Sequence, residues 1–259
     1  MARIIAIANH KGGSGKTTTA VNLAAGLQRH GHSVLLVDLD SQANASDTLG
    51  ATRDTVTTYE MLATMTAPEP CHYIGSPGNS FDLLPGSAKL DELPTTLTSQ
   101  GDALRLRRLL GEYDDYDFIV LDTPPAVSVL TLSALIAADD LIVPLEPNAL
   151  EVRGVAKMAG TVASLAPARS KPLRSSVLLV KYDGRKSLHR LTAASIRKGG
   201  ASLLETKIRQ CVALAEAPSL ACDIFRYAPS SNGAKDYEAL TLEYLQQLGI
   251  SSKAGHRTR

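Results

Sequence analysis

A glycine-rich segment follows the first apolar run of the 259-residue chain and reads His10-Lys11-Gly12-Gly13-Ser14-Gly15-Lys16-Thr17-Thr18. Its glycines let backbone N–H groups converge on one anion, and the helix expected after it adds a positive N-terminal end. The Lys16 ammonium is placed to neutralise nucleotide phosphates, and the Thr17 hydroxyl to bind Mg²⁺. The strand-loop-helix context disfavours the alternative, a glycine-rich turn without a ligand. The predicted nucleotide-binding residues are Gly12, Gly13, Ser14, Gly15, Lys16, Thr17 and Thr18.

Acidic residues end two other apolar runs of the sequence. Asp38 closes one run, Asp40 lies two residues further on, and Asp122 closes another run. A carboxylate at the end of a strand gains from the charge of a nearby magnesium ion, so we expect Asp122 to hold the ion through a water molecule. Asp38 is interpreted as support for the water shell of the metal, although capping of the next turn is an alternative. The predicted metal residues are Thr17, Asp38 and Asp122.

Short aliphatic runs alternate with helical patterns along the chain. The runs predict strands at Arg3–Ala8, Ser33–Asp38, Phe81–Leu84, Phe118–Asp122, Leu141–Leu145 and Ser176–Val180. The 3.6-residue patterns predict helices at Lys16–Arg29, Asp102–Leu110, Ser128–Ala137, Glu151–Leu165 and Leu188–Lys198. This alternation is typical of an α/β fold with a doubly wound, mostly parallel sheet and helices on both faces. We interpret residues 1–250 as one domain, Ala67–Gly86 as a surface excursion and residues 251–259 as a polar tail.

Composition excludes several classes of protein. With 44% hydrophobic residues the chain can bury a sizeable core, which excludes disorder. The three cysteines show neither a metal nor a redox pattern, and the first residues lack the features of a signal peptide. The longest apolar run, Ala126 to Ala138, is too short to span a bilayer. We therefore expect a cytoplasmic protein.

The net charge of +1 conceals a division between two parts of the chain. Residues 1–150 contain 9 lysines and arginines against 18 acidic residues, whereas residues 151–259 contain 18 against 8, giving net charges of −9 and +10. The asymmetry suggests a polyanionic partner for the second part, the alternative being basic residues scattered over a solvated surface. An aromatic content of 4% without tryptophan argues against a stacking platform for single-stranded nucleic acid.

Several motifs carry a family resemblance. The run K-G-G-S-G-K-T-T resembles the deviant Walker A motif of the ParA/MinD family of dimerising ATPases, in which His10 replaces the first glycine of the ordinary P-loop pattern. Residues 37–44 resemble the second motif of that family, D-x-D-P-Q-G-N, and residues 118–125 resemble its Walker B motif. Residues 214–219 and 233–237 resemble stretches of the chromosome and plasmid segregation branch. The resemblance runs from about residue 2 to about residue 245 and implies a P-loop NTPase of the SIMIBI type.

The resemblance implies roles for individual residues. Lys11 would be the signature lysine that reaches the phosphates of a partner subunit, and Asp40 would orient the attacking water or accept its proton. Gln42 and Asn44 would belong to a switch loop that senses the γ-phosphate, although an Asx turn also accounts for Asn44. The implied catalytic residues are Lys11, Lys16 and Asp40.

The resemblance also implies a function. ATP and Mg²⁺ would be the cofactors of a homodimer that binds double-stranded DNA without sequence preference, and a ParB-like partner would stimulate hydrolysis. Such a protein would be nucleoid-associated. The chain departs from the family where arginines usually contact DNA, because it reads R-Q-C-V-A at 209–213 and S-S-N at 230–232. The candidate DNA-binding residues are therefore Arg185, Lys186, Arg190, Lys207, Arg209, Arg226 and Lys235.

Other members of the family bind other partners. The polar, glycine-interrupted end of the chain lacks the basic amphipathic helix of a MinD-like protein, so no membrane partner is expected. Nothing precedes the first strand that could be an operator-binding domain, which makes autorepression improbable. Two alternatives stay open: a related ATPase that positions a protein cluster, and a phosphotransferase or ATP-dependent ligase built on the same P-loop.

Overall fold

The computed structural model describes residues 1–51, 55–75, 80–93, 100–125, 127–148 and 151–251. Eight strands form one sheet in the order β3-β4-β2-β5-β1-β6-β7-β8. β3 and β4 pair antiparallel, and the other neighbouring pairs are parallel. The strands are β1 (Arg3–Ile7), β2 (Val34–Asp38), β3 (Cys71–Ile74), β4 (Ser80–Leu84), β5 (Phe118–Asp122), β6 (Asp140–Leu145), β7 (Arg174–Tyr182) and β8 (Leu203–Arg209).

Ten helices connect or cover these strands in the described part of the chain. Several begin at the side chains that helix starts favour: the Thr57 hydroxyl and Glu60 form a capping box, and the Ser231 hydroxyl accepts the N–H of Ala234. The helices are α1 (Lys16–Arg29), α2 (Asn44–Thr48), α3 (Thr58–Thr64), α4 (Gln100–Leu110), α5 (Val129–Ala137), α6 (Glu151–Leu165), α7 (Ser187–Lys198), α8 (Val212–Glu216), α9 (Ile224–Tyr227) and α10 (Asn232–Gln247).

The central strands are buried on both faces because helices cover both sides of the sheet. Alternate residues of each strand enter different cores: Ile5 and Ile7 pack with α1 and α10, whereas Ile4 and Ala6 pack with α4 and α5. Every residue of β2 and β5 is buried, which explains their unbroken aliphatic sequences. The predicted doubly wound α/β fold is confirmed.

The edges of the sheet differ from the sequence-based expectation. Within Ala67–Gly86, the predicted strand Phe81–Leu84 is confirmed as Ser80–Leu84, but the interpretation of the stretch as a surface excursion is wrong, since Cys71–Ile74 forms a further strand that pairs antiparallel with it at one edge of the sheet. The aliphatic-run criterion also misses Leu203–Arg209, because an edge strand alternates polar and apolar residues. In the predicted tail, residues 252–259 lie outside the described residues. No described helix is long and apolar enough to cross a bilayer.

Close packing of α1 against α10 requires a glycine at position 26. A Cβ atom there would overlap the Oγ1 atom of Thr241, whose side chain is fully buried and donates to the Tyr237 carbonyl at 2.8 Å. The threonine cannot turn away without losing this hydrogen bond. The contact brings the C-terminal helix onto the helix that follows the glycine-rich segment.

Gly26→Ala should lower the free energy of unfolding by about 1–3 kcal/mol, because overpacking exceeds the gain in helix propensity. Gly160→Ala is the matched control, since nothing lies within 4 Å of the Cβ position at Gly160 of α6. There the change should stabilise by up to about 1 kcal/mol. Urea denaturation of both variants measures the difference, and equal effects would contradict the packing argument.

Candidate functional site

The candidate site lies where β2, β5 and β1 end side by side. The parallel register places Asp38 opposite Asp122, and Asp122 opposite Ile7. The two carboxylates and the start of the glycine-rich segment therefore meet at the carboxyl ends of these three strands. Carboxyl ends of parallel strands are the usual ligand sites of doubly wound folds.

Two glycines of the loop adopt conformations that other residues rarely take. Gly13 has φ 68° and Gly15, which precedes α1, has φ 84°. Two hydrogen bonds fix the backbone just before the loop. The Asn9 amide donates to the Pro144 carbonyl at 2.7 Å, and the Thr123 hydroxyl donates to the Ile7 carbonyl at 2.9 Å. The backbone is therefore shaped before any ligand binds.

The two lysines of the loop lie in different environments. Lys16 is only 7% exposed, and its Nζ donates to the Lys11 carbonyl at 3.4 Å. Burial lowers the pKa of Lys16, while the charges of Asp122 and Asp40 oppose the shift. Lys11 is exposed, and its backbone N–H donates to Asn9. At the first position of the loop, burial and the nearby Lys157 lower the pKa of His10.

Asp122 is a fully buried carboxylate. Neither of its oxygens has a hydrogen-bond partner among the described residues, and the Ser14 hydroxyl in the loop is in the same state. Burial raises the pKa of Asp122 well above its usual range, and the charge of Asp38 adds to the rise, although Thr17 and Lys16 offset part of it. A cation close to Asp122 would remove this penalty.

Asp38 organises the segment that follows β2. Its carboxylate accepts the Ser46 N–H at 3.0 Å, the Ser46 hydroxyl at 2.7 Å and the Asp40 N–H at 3.1 Å. Burial raises the pKa of Asp38 to about 6, and the bonds from Ser46 act in the opposite direction. These contacts match the turn-capping alternative for Asp38, while its part in the water shell of a metal stays a prediction.

Asp40 contacts Asp38 on one side and a cavity on the other. It is 5% exposed, its Oδ1 accepts the Gln42 N–H at 3.0 Å, and it lines a cavity of about 270 Å³ with Leu39, Pro124 and Pro125 among the other walls. Asn44, for which a switch-loop role stays a prediction, is exposed at the first position of α2. Asp40 is thus held by its backbone neighbourhood and faces a space that a small molecule can enter.

No group of three or more His, Cys, Asp and Glu side chains is arranged as a metal site in the described residues. Magnesium does not need such a group, because it is usually bound by one or two carboxylates together with the phosphates of a nucleotide. Of the predicted metal residues, Asp38 and Asp122 end β2 and β5, and Thr17 lies in the first turn of α1. Their roles in metal binding stay predictions.

A second cavity, of about 310 Å³, lies beside the loop between α1, the ends of β7 and β8, and α8. Its walls are mostly apolar with a few polar groups, as in sites for small organic ligands. The lining residues are Gly15, Thr18, Val180, Lys181, Ile208, Arg209, Gln210, Cys211, Val212, Leu214, Ala215 and Tyr237.

The candidate DNA-binding residues fall mostly near the β7–β8 edge. Arg185, Lys186 and Arg190 are exposed around the turn after β7, where Arg185 pairs with Asp183 at 3.0 Å and lowers the pKa of that carboxyl to about 2. Arg190 donates to the Gly184 carbonyl at 2.6 Å. The turn therefore exposes positive side chains, but Arg185 and Arg190 also bond residues of the turn itself.

The other four candidates have different surroundings. Arg209 pairs with Asp236 of α10 at 2.6 Å, and Lys207 donates to the Glu205 carbonyl at 2.9 Å with its Nζ 5.6 Å from the Tyr182 ring. Lys235 is exposed on α10, and Arg226 is exposed on α9. Arg209 thus has a structural role that the sequence alone does not reveal.

Comparison with known proteins assigns the family. The family model described as an AAA domain (AAA_31) matches residues 2–174. The chain is 40% identical over 248 residues to the chromosome-partitioning ATPase Soj of Thermus thermophilus, covering 95% of this chain and 96% of that protein. It is 33% identical to the sporulation initiation inhibitor protein Soj of Bacillus subtilis, covering 94% and 98%. The chain belongs to the ParA/Soj family.

Solved structures show the same fold. MinD from Pyrococcus horikoshii, complexed with Mg-ADP, has a TM-score of 0.79 and 26% identity, with 98% of this chain and 100% of that chain covered. Cobyrinic acid a,c-diamide synthase from Mycobacterium smegmatis, with bound ADP and magnesium, has a TM-score of 0.80 and 29% identity, with 98% and 100% covered. The ParA/Soj sheet described above is thus that of P-loop NTPases.

Sequence reasoning missed two groups of residues in this ParA/Soj-family site. The segment Gln210–Val212 lines the second cavity and lies within the 209–213 stretch that departs from the family pattern, and that departure was the available signal. Ser46 carries no motif of its own, yet its buried hydroxyl also accepts the Gly86 N–H at 2.9 Å and so joins two loops around Asp38. Only the fold brings Gly86 to this point.

Ser46→Ala should lower the free energy of unfolding by about 1–3 kcal/mol, because it leaves the half-buried Gly86 N–H without its acceptor and removes a charge-assisted bond to the buried Asp38. Ser133→Ala is the control: Ser133 is 2% exposed, and no described residue bonds its hydroxyl. That change should be neutral or stabilising. Urea denaturation distinguishes the two, and a neutral Ser46 variant would contradict the role assigned to this hydroxyl.

Proposed function

We propose that the chain is a Mg-ATP-dependent molecular switch for DNA segregation, which dimerises in its ATP-bound state, binds DNA as a dimer and is released by hydrolysis. The observation that carries the proposal is the contrast between the two lysines of the loop. Lys16 is buried beside Asp122, whereas Lys11 is exposed. Lys16 would bind the nucleotide of its own subunit, and Lys11, being exposed, would be free to reach the nucleotide of a second subunit.

The residues of the site fit a magnesium nucleotide. Asp122 and Lys16 are both buried, and their mutual attraction only partly offsets the cost of burying each charge, so the phosphates and the metal ion of the complex would each find a partner of opposite charge. Bound magnesium would supply positive charge to phosphates and carboxylate together. Thr17 and Asp122 would hold the ion, with Asp38 supporting its water shell. Phosphates would lie against the backbone of 12–15, the Lys16 ammonium and the first residues of α1, Thr17 and Thr18.

The base and sugar would occupy the 310 Å³ cavity, which begins at Gly15 and Thr18 and so continues from the phosphate loop. Apolar side chains from β7, β8 and α8 form most of its walls, which suits the faces of a flat aromatic ring. This assignment gives the departures at Gln210–Val212 a function in nucleotide binding.

Asp40 is the residue that we assign to water activation. Its carboxylate is fixed by the Gln42 N–H and faces the 270 Å³ cavity, where a water molecule could be oriented. Hydrolysis alone would need this group, so binding and dimerisation would survive its loss. ADP and phosphate would be the products.

DNA binding would use the exposed positive side chains near the β7–β8 edge. Such contacts neutralise phosphates and carry little sequence information. Arg185, Lys186, Arg190, Lys207 and Lys235 are the candidates closest to that edge, while Arg226 lies on α9. Arg209 would contribute indirectly. Its guanidinium is already paired with Asp236, and this pair would position the start of α10, where Lys235 lies.

A ParB-like protein with a basic, flexible N-terminus is the partner that we expect to stimulate hydrolysis, and the nucleoid of the cytoplasm is the expected location. The chromosome-partitioning names of the 40% and 32% identical relatives support this assignment. The alternative of an ATP-dependent ligase has one supporting observation, the 29% identical structure named as an amide-forming synthase. Product analysis separates the two, because a ligase needs an acceptor to turn over ATP and a switch does not.

Lys16→Ala should reduce Mg-ATP affinity about 100-fold or more, because the backbone alone does not offset the phosphate charge. Lys11→Ala should bind ATP as the wild-type chain does, yet remain monomeric and fail to hydrolyse it. Calorimetry measures binding, and light scattering after size exclusion measures dimerisation. Unchanged affinity in the Lys16 variant would contradict the phosphate site, and a normal ATP-dependent dimer of the Lys11 variant would reduce Lys11 to a loop residue.

Lys235→Glu should weaken ATP-dependent DNA binding equally for unrelated sequences and flatten the dependence of log affinity on log salt by roughly one unit per lost phosphate contact. This variant is cleaner than Arg209→Glu, which would also break the Asp236 pair. Lys171→Glu is the control, because Lys171 is exposed before the amino end of β7, whereas the candidate turn Asp183–Lys186 follows the carboxyl end of that strand.

Fluorescence anisotropy at several salt concentrations gives both quantities. Equal losses for the two variants would mean that the effect is net charge rather than contact. If the wild-type dimer fails to bind DNA even at low salt, the DNA assignment is wrong and a protein cluster becomes the better cargo.

A further inference from the structure

Lys181, the penultimate residue of β7, has a left-handed backbone conformation with φ 50°. Its Nζ donates to the Gly13 carbonyl at 3.2 Å and to Glu146 Oε2 at 3.3 Å. A lysine from a distant strand therefore contacts the phosphate loop from outside. None of the motifs quoted above includes it.

The end of β7 is shaped to make this contact. In a regular strand, neighbouring side chains point to opposite faces of the sheet. Here Val180 lies against Gly15, with its Cγ2 3.5 Å from the Cβ position there, while Lys181 reaches Gly13 of the same loop. The pairing of β7 with β8 is also irregular between Leu179 and Tyr182. A left-handed lysine costs free energy, and such strain is found preferentially at functional sites.

The contact has an electrostatic consequence for the loop. The Gly13 carbonyl and the Ser14 N–H belong to the same peptide unit. An ammonium at the oxygen end polarises that unit and makes its N–H a better donor, as in a hydrogen-bond chain. Because the Gly13 carbonyl points to the Lys181 ammonium, the Ser14 N–H of the same trans peptide points the opposite way, and the contact fixes that orientation. We propose that Lys181 is a positioning residue that prepares the Gly13–Ser14 peptide for the nucleotide phosphates.

The second contact of Lys181 is an ion pair with Glu146, the residue after β6, at 3.3 Å. The two side chains are 48% and 42% exposed, so their ion pair alone contributes little stability. A carboxylate near a phosphate site is unfavourable unless a cation neutralises it, and Lys181 does so. The proposal rests on the nucleotide binding proposed above. It assigns the effect to the carbonyl contact and not to the ion pair.

Lys181→Met keeps the length of the side chain and removes its charge. We expect it to weaken Mg-ATP binding about three- to tenfold in calorimetry, with Lys181→Arg restoring most of the loss. Lys171→Met is the matched control for net charge and should bind as the wild-type chain does. Glu146→Gln should bind at least as tightly as the wild-type chain, because the Gly13 contact survives in it.

A second probe separates the loop from the adjoining cavity, which Lys181 also lines. Mg-tripolyphosphate has no base, so its displacement of a fluorescent ATP analogue reports the phosphate loop alone. The same three- to tenfold loss with tripolyphosphate supports the proposal. A loss seen with ATP but absent with tripolyphosphate would overturn it in favour of a nucleoside contact, and a Glu146→Gln loss as large as that of Lys181→Met would overturn it in favour of the ion pair.

The proposed function and this inference fail in different ways. If the wild-type chain does not bind Mg-ATP, the nucleotide assignment is wrong. If the wild-type chain binds and Lys181→Met equals Lys171→Met, only the positioning role is wrong.

Discussion

The parallel register that sets Asp38 beside Asp122 is the constraint on which the rest of the site depends. Two neighbouring strands end in buried carboxylates whose charges repel, and only one of the two is hydrogen-bonded by described residues. Replacing either with an apolar residue would relieve the repulsion, so folding stability alone does not explain the pair. The magnesium nucleotide proposed for this site would remove the repulsion, and its binding would then be coupled to the loops around the two carboxylates.

Asp38 is the residue through which hydrogen bonds join several loops of the site. Its side chain holds Ser46, its backbone carbonyl accepts the Thr58 hydroxyl at 2.8 Å, and the same hydroxyl reaches the Pro85 carbonyl at 2.9 Å. The segments after β2 and β4 are therefore tied to one strand end. A change at Asp40, two residues beyond Asp38, has a short and fully bonded path to both segments.

The parts of this structure that the sequence predicts are those specified by local patterns. The loop from Gly12 to Thr18, its helix, and the buried strands ending at Asp38 and Asp122 each follow from contiguous residues, since glycine spacing and aliphatic runs need no distant partner. The edge strands Cys71–Ile74 and Leu203–Arg209 do not, because half-exposed strands mix polar and apolar residues. Nor does the pairing of Arg209 with Asp236 or the reach of Lys181 to Gly13. Charge and residue type can be read at one position, but the partner depends on how strands far apart in sequence are ordered in the sheet.

The same ordering converts the charge division of the sequence into a division in space. β2 to β5 lie at one side of the sheet and come from the part with net charge −9, whereas β7 and β8 form the other edge and come from the part with net charge +10. The acidic partners of Arg185, Arg197 and Arg209, which are Asp183, Glu205 and Asp236, are already included in that net charge of +10, so the positive excess comes from the other basic residues. The side chains available for contact with a polyanion are the exposed lysines and arginines around the turn after β7 and at the start of α10. Flexible point charges suit contacts with a phosphate backbone, and fixed, bidentate arginines are what reading a base would require. The distribution of paired and exposed basic residues therefore supports the proposed binding without sequence preference, and these residues lie beside the strand whose Lys181 contacts the glycine-rich loop.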